Sequence, residues 1–312
     1  MIQNKKHQQQ LYNGFLISLA GAILFSTKAI FVKLAFKVTT VDAVTLLALR
    51  MLFALPFYLL AAWFSGTNEN TKSLSKSYWC WIVIMGIFGY YLSSLFDFIG
   101  LQYVSAGLER LILFLYPTFA VLINTFLFKA ALSKIQIIAL ALTYSGIGLA
   151  YFSEINSIEQ TPNFLFGSLM IFCCAITYSI YLVGTGKLVH KTGATRYTAY
   201  VMLAATIGVF VHFLTTHSVS NLQLTPQLTW YSIALAIIAT VIPSFLMSNG
   251  MKKIGSNNVS IITSIGPVST IIQASIFLGE KIVPMQIAGT ILVMCGVILI
   301  GWKSRTVDLG NN

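Results

Sequence analysis

The chain has 312 residues, of which 57% are hydrophobic and only 9% are charged, and its mean hydropathy is +0.82. Soluble domains carry about a quarter charged residues, so this composition excludes a soluble protein and predicts an integral membrane protein. The net charge of +11 does not indicate nucleic-acid binding, because the cations lie mainly in loops, where they orient the chain and meet anionic lipid.

The predicted elements are membrane-spanning helices, because roughly 20 apolar residues suffice to cross the ~30 Å hydrocarbon core. In chain order the ten predicted spans are 12–34, 43–64, 78–101, 107–128, 134–152, 164–186, 196–215, 229–250, 257–279 and 282–302. The first ten residues are basic, as at the start of a signal peptide. However, the following apolar run is as long as a full span and lacks a convincing cleavage site, so it is predicted to be a retained first helix.

Lysine and arginine are distributed unequally between the two sides of this topology. Thirteen lie in the tails and even-numbered loops: Lys5, Lys6, Lys72, Lys76, Lys129, Lys134, Lys187, Lys191, Arg196, Lys252, Lys253, Lys303 and Arg305. Only Lys33, Lys37 and Lys281 lie in or beside the opposite loops. Cytoplasmic loops carry the excess of basic residues in membrane proteins, so both termini are predicted to be cytoplasmic.

The chain resembles itself at an offset of 150 residues, which aligns residues 100–152 with 250–302 without a gap. The matched pairs include Gly100 and Gly250, Pro117 and Pro267, Gln136 and Gln286, and Gly146 and Gly296. A weaker match at an offset of 153 aligns residues 14–26 with 167–179 and pairs Ser26 with Ser179. These matches predict an internal repeat.

The repeat divides the chain into two five-helix halves, residues 1–152 and 153–312. Because five is odd, the halves are predicted to cross the membrane in opposite senses. The predicted fold is therefore an all-α integral membrane protein with ten transmembrane helices as two inverted repeats. Inverted repeats are typical of alternating-access carriers, which hold substrate near the midplane between the halves.

Three segments carry a resemblance to a known family: the opening GAILFSTKAIFVKLAF, the segment LERLILFLYPTFAVLINTFLF at 108–128, and its counterpart VSIITSIGPVSTIIQASIFLGEKIVPMQIAGTILVMCGVILI at 259–300. With the five-plus-five arrangement of spans, they look like the drug/metabolite transporter superfamily, EamA type, over nearly the whole chain. The resemblance implies a multi-pass transporter, expected in a bacterial cytoplasmic (inner) membrane. It leaves the substrate open, because the superfamily exports amino acids, metabolites and drugs and includes phosphate exchangers.

Ionisable side chains inside spans are costly, so they usually face the bundle interior or a wet cavity. Lys28 lies on a stripe of small residues in span one, and Asp97 ends a similar stripe in span three. Lys28 is predicted to line a substrate cavity, with a structural ion pair as the alternative. Asp97 is predicted to pair with Lys28 or Arg50 and to bind a proton when that partner moves away; a static ion pair explains it equally well. Arg50 suits an anionic substrate group, but structural pairing explains it as well.

The remaining candidates lie near the predicted cavity. The other residues predicted to contact substrate are Ser26, Tyr90, Tyr116, Thr263 and Gln273. Hydrogen bonding between helices is the alternative for the polar residues of span nine.

Four further residues are predicted to act in gating or structure. Glu109 and Arg110 open span four, where Glu109 is expected to cap the helix N-terminus. Pro117 and Pro267 hold equivalent places in spans four and nine and are predicted to kink them beside the cavity.

Several function classes find no support in the sequence. The four cysteines show no metal-ligand spacing, so neither a metal nor a cofactor is expected. The scattered histidines and few intramembrane acids do not supply a catalytic group, so an enzyme is not expected. A non-transporting membrane scaffold would explain the topology but not the inward charges.

The predicted function is secondary transport of small polar or amino-acid-like metabolites by alternating access, as an exporter that is either coupled to protons or operates by facilitated diffusion. The alternative is an organic-anion or phosphate-ester exchanger, favoured by the excess of intramembrane cations. The expected partners are a small-molecule substrate, the lipid bilayer and protons, with the protein as a monomer or homodimer.

Overall fold

The computed structural model describes residues 2–67, 75–128, 134–157, 162–219, 222–254, 259 and 262–309, which are helical and contain no β-strand. The helices are α1 (Ile2–Val38), α2 (Ala43–Thr67), α3 (Lys76–Leu101), α4a (Ala106–Leu113), α4b (Tyr116–Phe128), α5 (Lys134–Ser157), α6 (Phe164–Thr192), α7 (Ala194–Thr216), α8 (Pro226–Ile254), α9 (Gly266–Leu278) and α10 (Pro284–Leu309). The all-α prediction is confirmed. The predicted loop cations Lys72 and Lys129, and most of the start of span nine, lie outside the described residues.

Eight segments of the described chain are long and apolar enough to cross a membrane, from α1 to α8 with α4a and α4b counted as one. Two shorter apolar segments follow, Gly266–Leu278 and Pro284–Leu299. Large apolar side chains such as Phe126 and Leu165 are mostly exposed, which a soluble protein avoids and a lipid-facing surface requires. The protein is a multi-pass integral membrane protein.

The helices pack mainly in pairs that join the first part of the chain to the second. Helix α1 packs against α8 and α9, and α6 packs against α3, α4a and α4b. Helix α2 packs against α7, and α5 packs against α10. Most helices of the first part therefore bury one face against the second part.

Glycine permits the backbones of α5 and α10 to touch. A Cβ added to Gly146 would lie 2.5 Å from the carbonyl oxygen of Gly289, and one added to Gly296 would lie 2.6 Å from that of Ala139. No side chain fits at such distances, and small residues of this kind let membrane helices approach closely. Since Gly146 matches Gly296 and Ala139 matches Gly289 at the offset of 150 residues, the two contacts are equivalent in the predicted repeat.

Two helices contain a turn of π-helix. The turn spans Ile87–Leu92 in α3 and Ile237–Val241 in α8, so the two turns begin 150 residues apart. A π-helical turn inserts one residue into the α-helical pattern and often occurs at functional sites. A third π-helical turn, Ala274–Leu278, ends α9.

Two further interruptions lie just before prolines. The helical conformation is interrupted by a turn at residues 114–115, between α4a and α4b, and by another at residues 264–265, just before α9. We call these two turns the helix breaks. Pro117 and Pro267 follow these breaks and lie in the first turns of α4b and α9. A proline lacks an N–H and clashes with the carbonyl group four residues earlier, which explains why each helix breaks upstream of its proline.

At one face of the bundle, the loop between α1 and α2 meets the loop after α7. The Oδ1 atom of Asp42 accepts hydrogen bonds from the N–H groups of Val44 (2.8 Å) and Thr45 (3.0 Å), and it lies 3.4 Å from Nε2 of His217. Partial burial alone would raise the pKa of the Asp42 carboxyl. The hydrogen bonds from Thr45 and Val44 and the nearby imidazole outweigh it, so this pKa lies below its ordinary value.

We expect Asp42→Ala to lower the free energy of unfolding by about 1 kcal/mol, because the side chain caps α2. A lowered pKa means that the carboxylate stabilises the fold at pH values above the unfolded-state pKa and ceases to do so as pH falls through the folded-state pKa. Unfolding temperatures in detergent should therefore differ between wild type and variant at neutral pH and converge as the pH falls below the folded-state pKa of Asp42. A difference that persists at acidic pH would contradict the role of the charge.

Candidate functional site

Three charged side chains meet inside the bundle, where α1, α3 and α4a approach one another. The Nζ atom of Lys28 is 2.7 Å from Oδ2 of Asp97 and 3.9 Å from Oε1 of Glu109. Both carboxylates have an exposed fraction of 0%, and the Lys28 side chain is 12% exposed. We call these residues the ion cluster. Only the ammonium group of Lys28 lies within 4 Å of these buried carboxylates; Arg50 and Arg110 interact with Asp97 and Glu109 at longer range.

Few other groups stabilise the carboxylates of Asp97 and Glu109. Apart from the contact between the two carboxyl groups, Oδ1 of Asp97 and both carboxylate oxygens of Glu109 are buried without a hydrogen-bond partner among the described residues. The thiol of Cys174, on α6, lies beside the cluster. An unpaired ionised carboxylate in such surroundings costs several kcal/mol. A proton bound by either acid removes that cost.

The orientation of Glu109 refines one expectation. At the N-terminus of α4a, Ser105 Oγ accepts a hydrogen bond from the N–H of Leu108 (3.0 Å), and the Glu280 carboxylate accepts one from the N–H of Ala106 (2.9 Å). Glu109 lies in the first turn of α4a, where an acid complements the helix N-terminus as expected, but its carboxylate forms no hydrogen bond with the N–H groups there. Its carboxylate is turned into the bundle toward Lys28.

Arg50 lies in α2 close to the ion cluster but outside it. Its Nη2 atom donates a hydrogen bond to Ser94 Oγ (3.1 Å), and its guanidinium carbon lies 5.1 Å from the centre of the Phe98 ring. No carboxylate oxygen of the described residues lies within 4 Å of it. Of the two partners expected for Asp97, the structure pairs it with Lys28.

Arg110 reaches from α4a to the start of α9. Its guanidinium carbon lies 5.5 Å from the centre of the Phe114 ring. A Cβ added to Gly266 would lie 2.6 Å from Nη2 of Arg110, so the guanidinium packs directly on the backbone there. Arg110 thus links the two helix breaks.

Two serines bind the backbone beside the breaks. Ser26 Oγ donates to the carbonyl oxygen of Gly266 at 3.3 Å, and Ser179 Oγ donates to that of Tyr116 at 2.9 Å. Each acceptor is the residue before a break proline. Ser26 was predicted as a site residue and Ser179 was not, although its alignment with Ser26 was a usable signal.

Four tyrosines, which we call the tyrosine row, run through the interior from α3 across α6 to α4b. The hydroxyl groups of Tyr90 and Tyr181 are 3.4 Å apart. The ring centres of Tyr181 and Tyr178 are 5.6 Å apart, and those of Tyr178 and Tyr116 are 5.2 Å apart. Tyr178 and Tyr181 were missed as candidates. Tyr181 occupies the repeat position of Lys28, so the 153-residue offset was the signal for it.

The other predicted site residues lie on or just before α9. Thr263 forms a side-chain hydrogen bond with Tyr116. Gln273 Nε2 donates to Ser269 Oγ (2.8 Å) and to the carbonyl oxygen of Ile23 (3.4 Å). Thr263 therefore lies beside the tyrosine row, whereas Gln273 joins α9 to α1.

Apolar membrane helices, inward ionisable side chains and helices broken within the membrane are the features of membrane transporters. The family model described as EamA-like transporter family matches residues 12–152 and 165–302. The chain belongs to this family and is a membrane transporter.

Individual relatives agree with this assignment. The uncharacterized transporter YcbK of Bacillus subtilis (strain 168) is 31% identical, over 95% of each chain. The probable amino-acid metabolite efflux pump of Salmonella typhimurium (strain LT2) is 21% identical over 62% of this chain and 67% of its own length. One solved crystal structure matches with a TM-score of 0.65 at 18% identity, over 92% of this chain and 94% of that chain, which shows the same fold.

Proposed function

We propose that the protein is a secondary active transporter that exports small polar or amino-acid-like metabolites across a bacterial cytoplasmic (inner) membrane, coupled to protons. The observation that carries the proposal is the ion cluster, in which one ammonium group serves two buried carboxylates. A transporter has a use for a site that binds a proton in one conformation and releases it in another. The similar Salmonella protein named as an efflux pump supports the outward direction.

The proposed architecture is ten transmembrane helices in two inverted halves, residues 1–152 and 153–312, with both termini cytoplasmic. The family model matches the chain in two segments of similar length. The π-helical turns and the helix breaks recur at the offset of 150 residues. The hydrogen bonds of Ser26 and Ser179 also correspond to each other, with the serines matched at the offset of 153 and their acceptors, Gly266 and Tyr116, at the offset of 150. All these features support a two-fold relation between the halves.

The same correspondence suggests which parts move. Helix α1 is tied to α9 by Ser26, and α6 is tied to α4b by Ser179. Each helix that opens one half is thus bound to the other half. We propose that two such mixed bodies rock against each other and expose one cavity alternately to each side, as inverted-repeat transporters do.

The proposed cavity lies between the ion cluster, Arg110 and the tyrosine row. Lys28, Arg50 and Asp97 supply charge, and Tyr90, Tyr116 and Thr263 supply hydroxyl groups. Ser26 and Gln273 complete the proposed lining, whereas Glu109, Pro117 and Pro267 are proposed to shape and gate it. The first half supplies most of the charge and the second half mostly neutral groups.

Proton coupling follows from charge balance in the ion cluster. The Lys28 ammonium neutralises one carboxylate, and a proton neutralises the other. When Lys28 moves away from Asp97, the affinity of that carboxylate for a proton rises, because its compensating charge is lost. Asp97, together with Glu109, is therefore the proposed proton-coupling group.

The experiment is uptake into liposomes that contain the purified protein and the pH-sensitive dye pyranine. The probe is a mixture of isotope-labelled amino acids and organic acids. We expect at least one compound to accumulate when a pH gradient is imposed, together with proton movement reported by the dye. The absence of uptake by folded protein for every compound would contradict the proposal.

A second candidate function is exchange of organic anions or phosphate esters. It is favoured by Arg50 and Arg110, neither of which has a carboxylate within 4 Å among the described residues. In an exchanger, compound loaded inside the liposomes accelerates uptake and an imposed pH gradient does not. The same liposomes therefore decide between the two functions.

A further inference from the structure

Arg110 carries a buried positive charge to which the described residues offer no direct counter-ion. Arg110 is only 8% exposed, and its Nε atom has no hydrogen-bond partner among the described residues. No carboxylate oxygen of the described chain lies within 4 Å of it. The carboxylate of the adjacent Glu109 lies within 4 Å of Lys28 and interacts with Arg110 only at longer range. An unpaired buried cation costs several kcal/mol, so the position calls for a ligand that brings negative charge.

The backbone around Arg110 adds to this positive potential. The guanidinium packs against Gly266, the first residue of α9. Helix N-termini carry partial positive charge and direct N–H groups outward, which makes them sites for anions. The unpaired side chain and the helix terminus are independent features, and they meet at the same place.

The surroundings of Arg110 are aromatic and hydroxylated. Tyr116 and Tyr178 both lie near its guanidinium. Both tyrosines are only partly buried. A small anionic group with an apolar or aromatic body suits this environment.

We propose that Arg110 binds the anionic group of the transported compound, a carboxylate, against the helix break at Gly266. The identity of the ligand as cargo rests on the proposed function, but binding itself does not require transport. A guanidinium forms two parallel hydrogen bonds with a carboxylate, which gives affinity and orientation. Arg50 is a weaker choice, because it already donates to Ser94 and is only 2% exposed.

The test measures the unfolding temperature of the detergent-purified full-length protein with sodium benzoate, benzamide, sodium phosphate or sodium chloride at equal ionic strength. Benzamide has nearly the shape of benzoate without its charge. We expect saturable stabilisation by benzoate and none by benzamide or chloride. Arg110→Gln should weaken the apparent affinity for benzoate about 10- to 100-fold, the effect of losing charge-assisted hydrogen bonds. The control Arg196→Gln removes a guanidinium that binds Tyr200 elsewhere and should leave the affinity unchanged.

Gly266→Ala provides a second variant that keeps the charge. The added Cβ meets the flexible end of Arg110 at 2.6 Å, so the side chain is displaced at little cost and the protein should still fold. We expect it to weaken benzoate binding by a similar factor. This variant decides the question if Arg110→Gln does not fold.

Several outcomes would overturn the inference. They are equal stabilisation by benzamide, no stabilisation by any anion, and unchanged benzoate affinity in Gly266→Ala. Stronger stabilisation by phosphate than by benzoate would overturn the assignment to a carboxylate. If transport is absent but benzoate binding depends on Arg110, the proposed function fails and the site stands. If transport proceeds without benzoate binding, only this inference fails.

Discussion

Lys28→Met is expected to destabilise the protein by about 3–5 kcal/mol, the usual cost of removing one partner from a buried ion pair. The substitution keeps the length of the side chain but leaves Asp97 and Glu109 without their shared ammonium group. Both carboxylates are fully buried, so neither gains compensation from water. Thermal unfolding and the yield of folded protein in detergent would measure the loss.

The matched control is Lys37→Met, which makes the same chemical change at an exposed position near the end of the same helix. Its effect should stay within about 0.5 kcal/mol. The combined variant Lys28→Met, Asp97→Asn, Glu109→Gln removes every charge of the ion cluster. It should recover most of the stability, because residues that share one network are not additive. A loss in the combined variant as large as the sum of the single losses would refute the cluster.

The inward direction of Lys28 could be predicted from local pattern. Small residues repeat at helical spacing on its face of α1, and such faces pack against protein. Its partner could not be predicted. Whether Asp97 pairs with Lys28 or Arg50 depends on how α1, α2 and α3 rotate against one another, and that rotation is set by packing across the whole bundle. The same reason explains why Glu109, expected at the helix cap, turned out to face the cluster.

The sequence predicted the number of helix breaks correctly but their positions only roughly. Pro117 and Pro267 predicted two kinks, and the two helices are interrupted slightly upstream of them, at residues 114–115 and 264–265. The π-helical turns could not be predicted, because the extra residue in such a turn does not change the apolar character of the segment. Ser179 and Tyr181 could have been predicted from the sequence. Each aligns with a predicted site residue at the offset of 153, and symmetry would have added both to the site.

Helix limits differed from prediction mainly at the ends. The first span was predicted at 12–34, whereas α1 runs from Ile2 to Val38. Hydropathy reports the part of a helix that lies in hydrocarbon. The helix continues beyond it wherever backbone hydrogen bonds still form, so polar flanks extend α1 without any apolar signal.

Asp97→Asn and Glu109→Gln are each expected to abolish proton coupling while leaving exchange intact. The reason is the number of charges in the ion cluster. With both acids present, one ammonium group leaves one carboxylate that needs a proton. With either acid replaced by its amide, one cation faces one anion, and the cluster is neutral without a proton. Gradient-driven uptake into liposomes should then fall about tenfold or more.

Stability separates this account from a purely structural role for the acids. Each single amide variant should unfold near the wild-type temperature, because the Lys28 ammonium still faces one carboxylate of the ion cluster. The double variant Asp97→Asn, Glu109→Gln leaves Lys28 unpaired and should be destabilised like Lys28→Met. Asp42→Asn, which changes an acid outside the bundle interior, should retain gradient-driven uptake. If Asp97→Asn or Glu109→Gln kept full gradient-driven uptake, the proton would have to be carried elsewhere, and the ion cluster would be only a structural contact between α1, α3 and α4a.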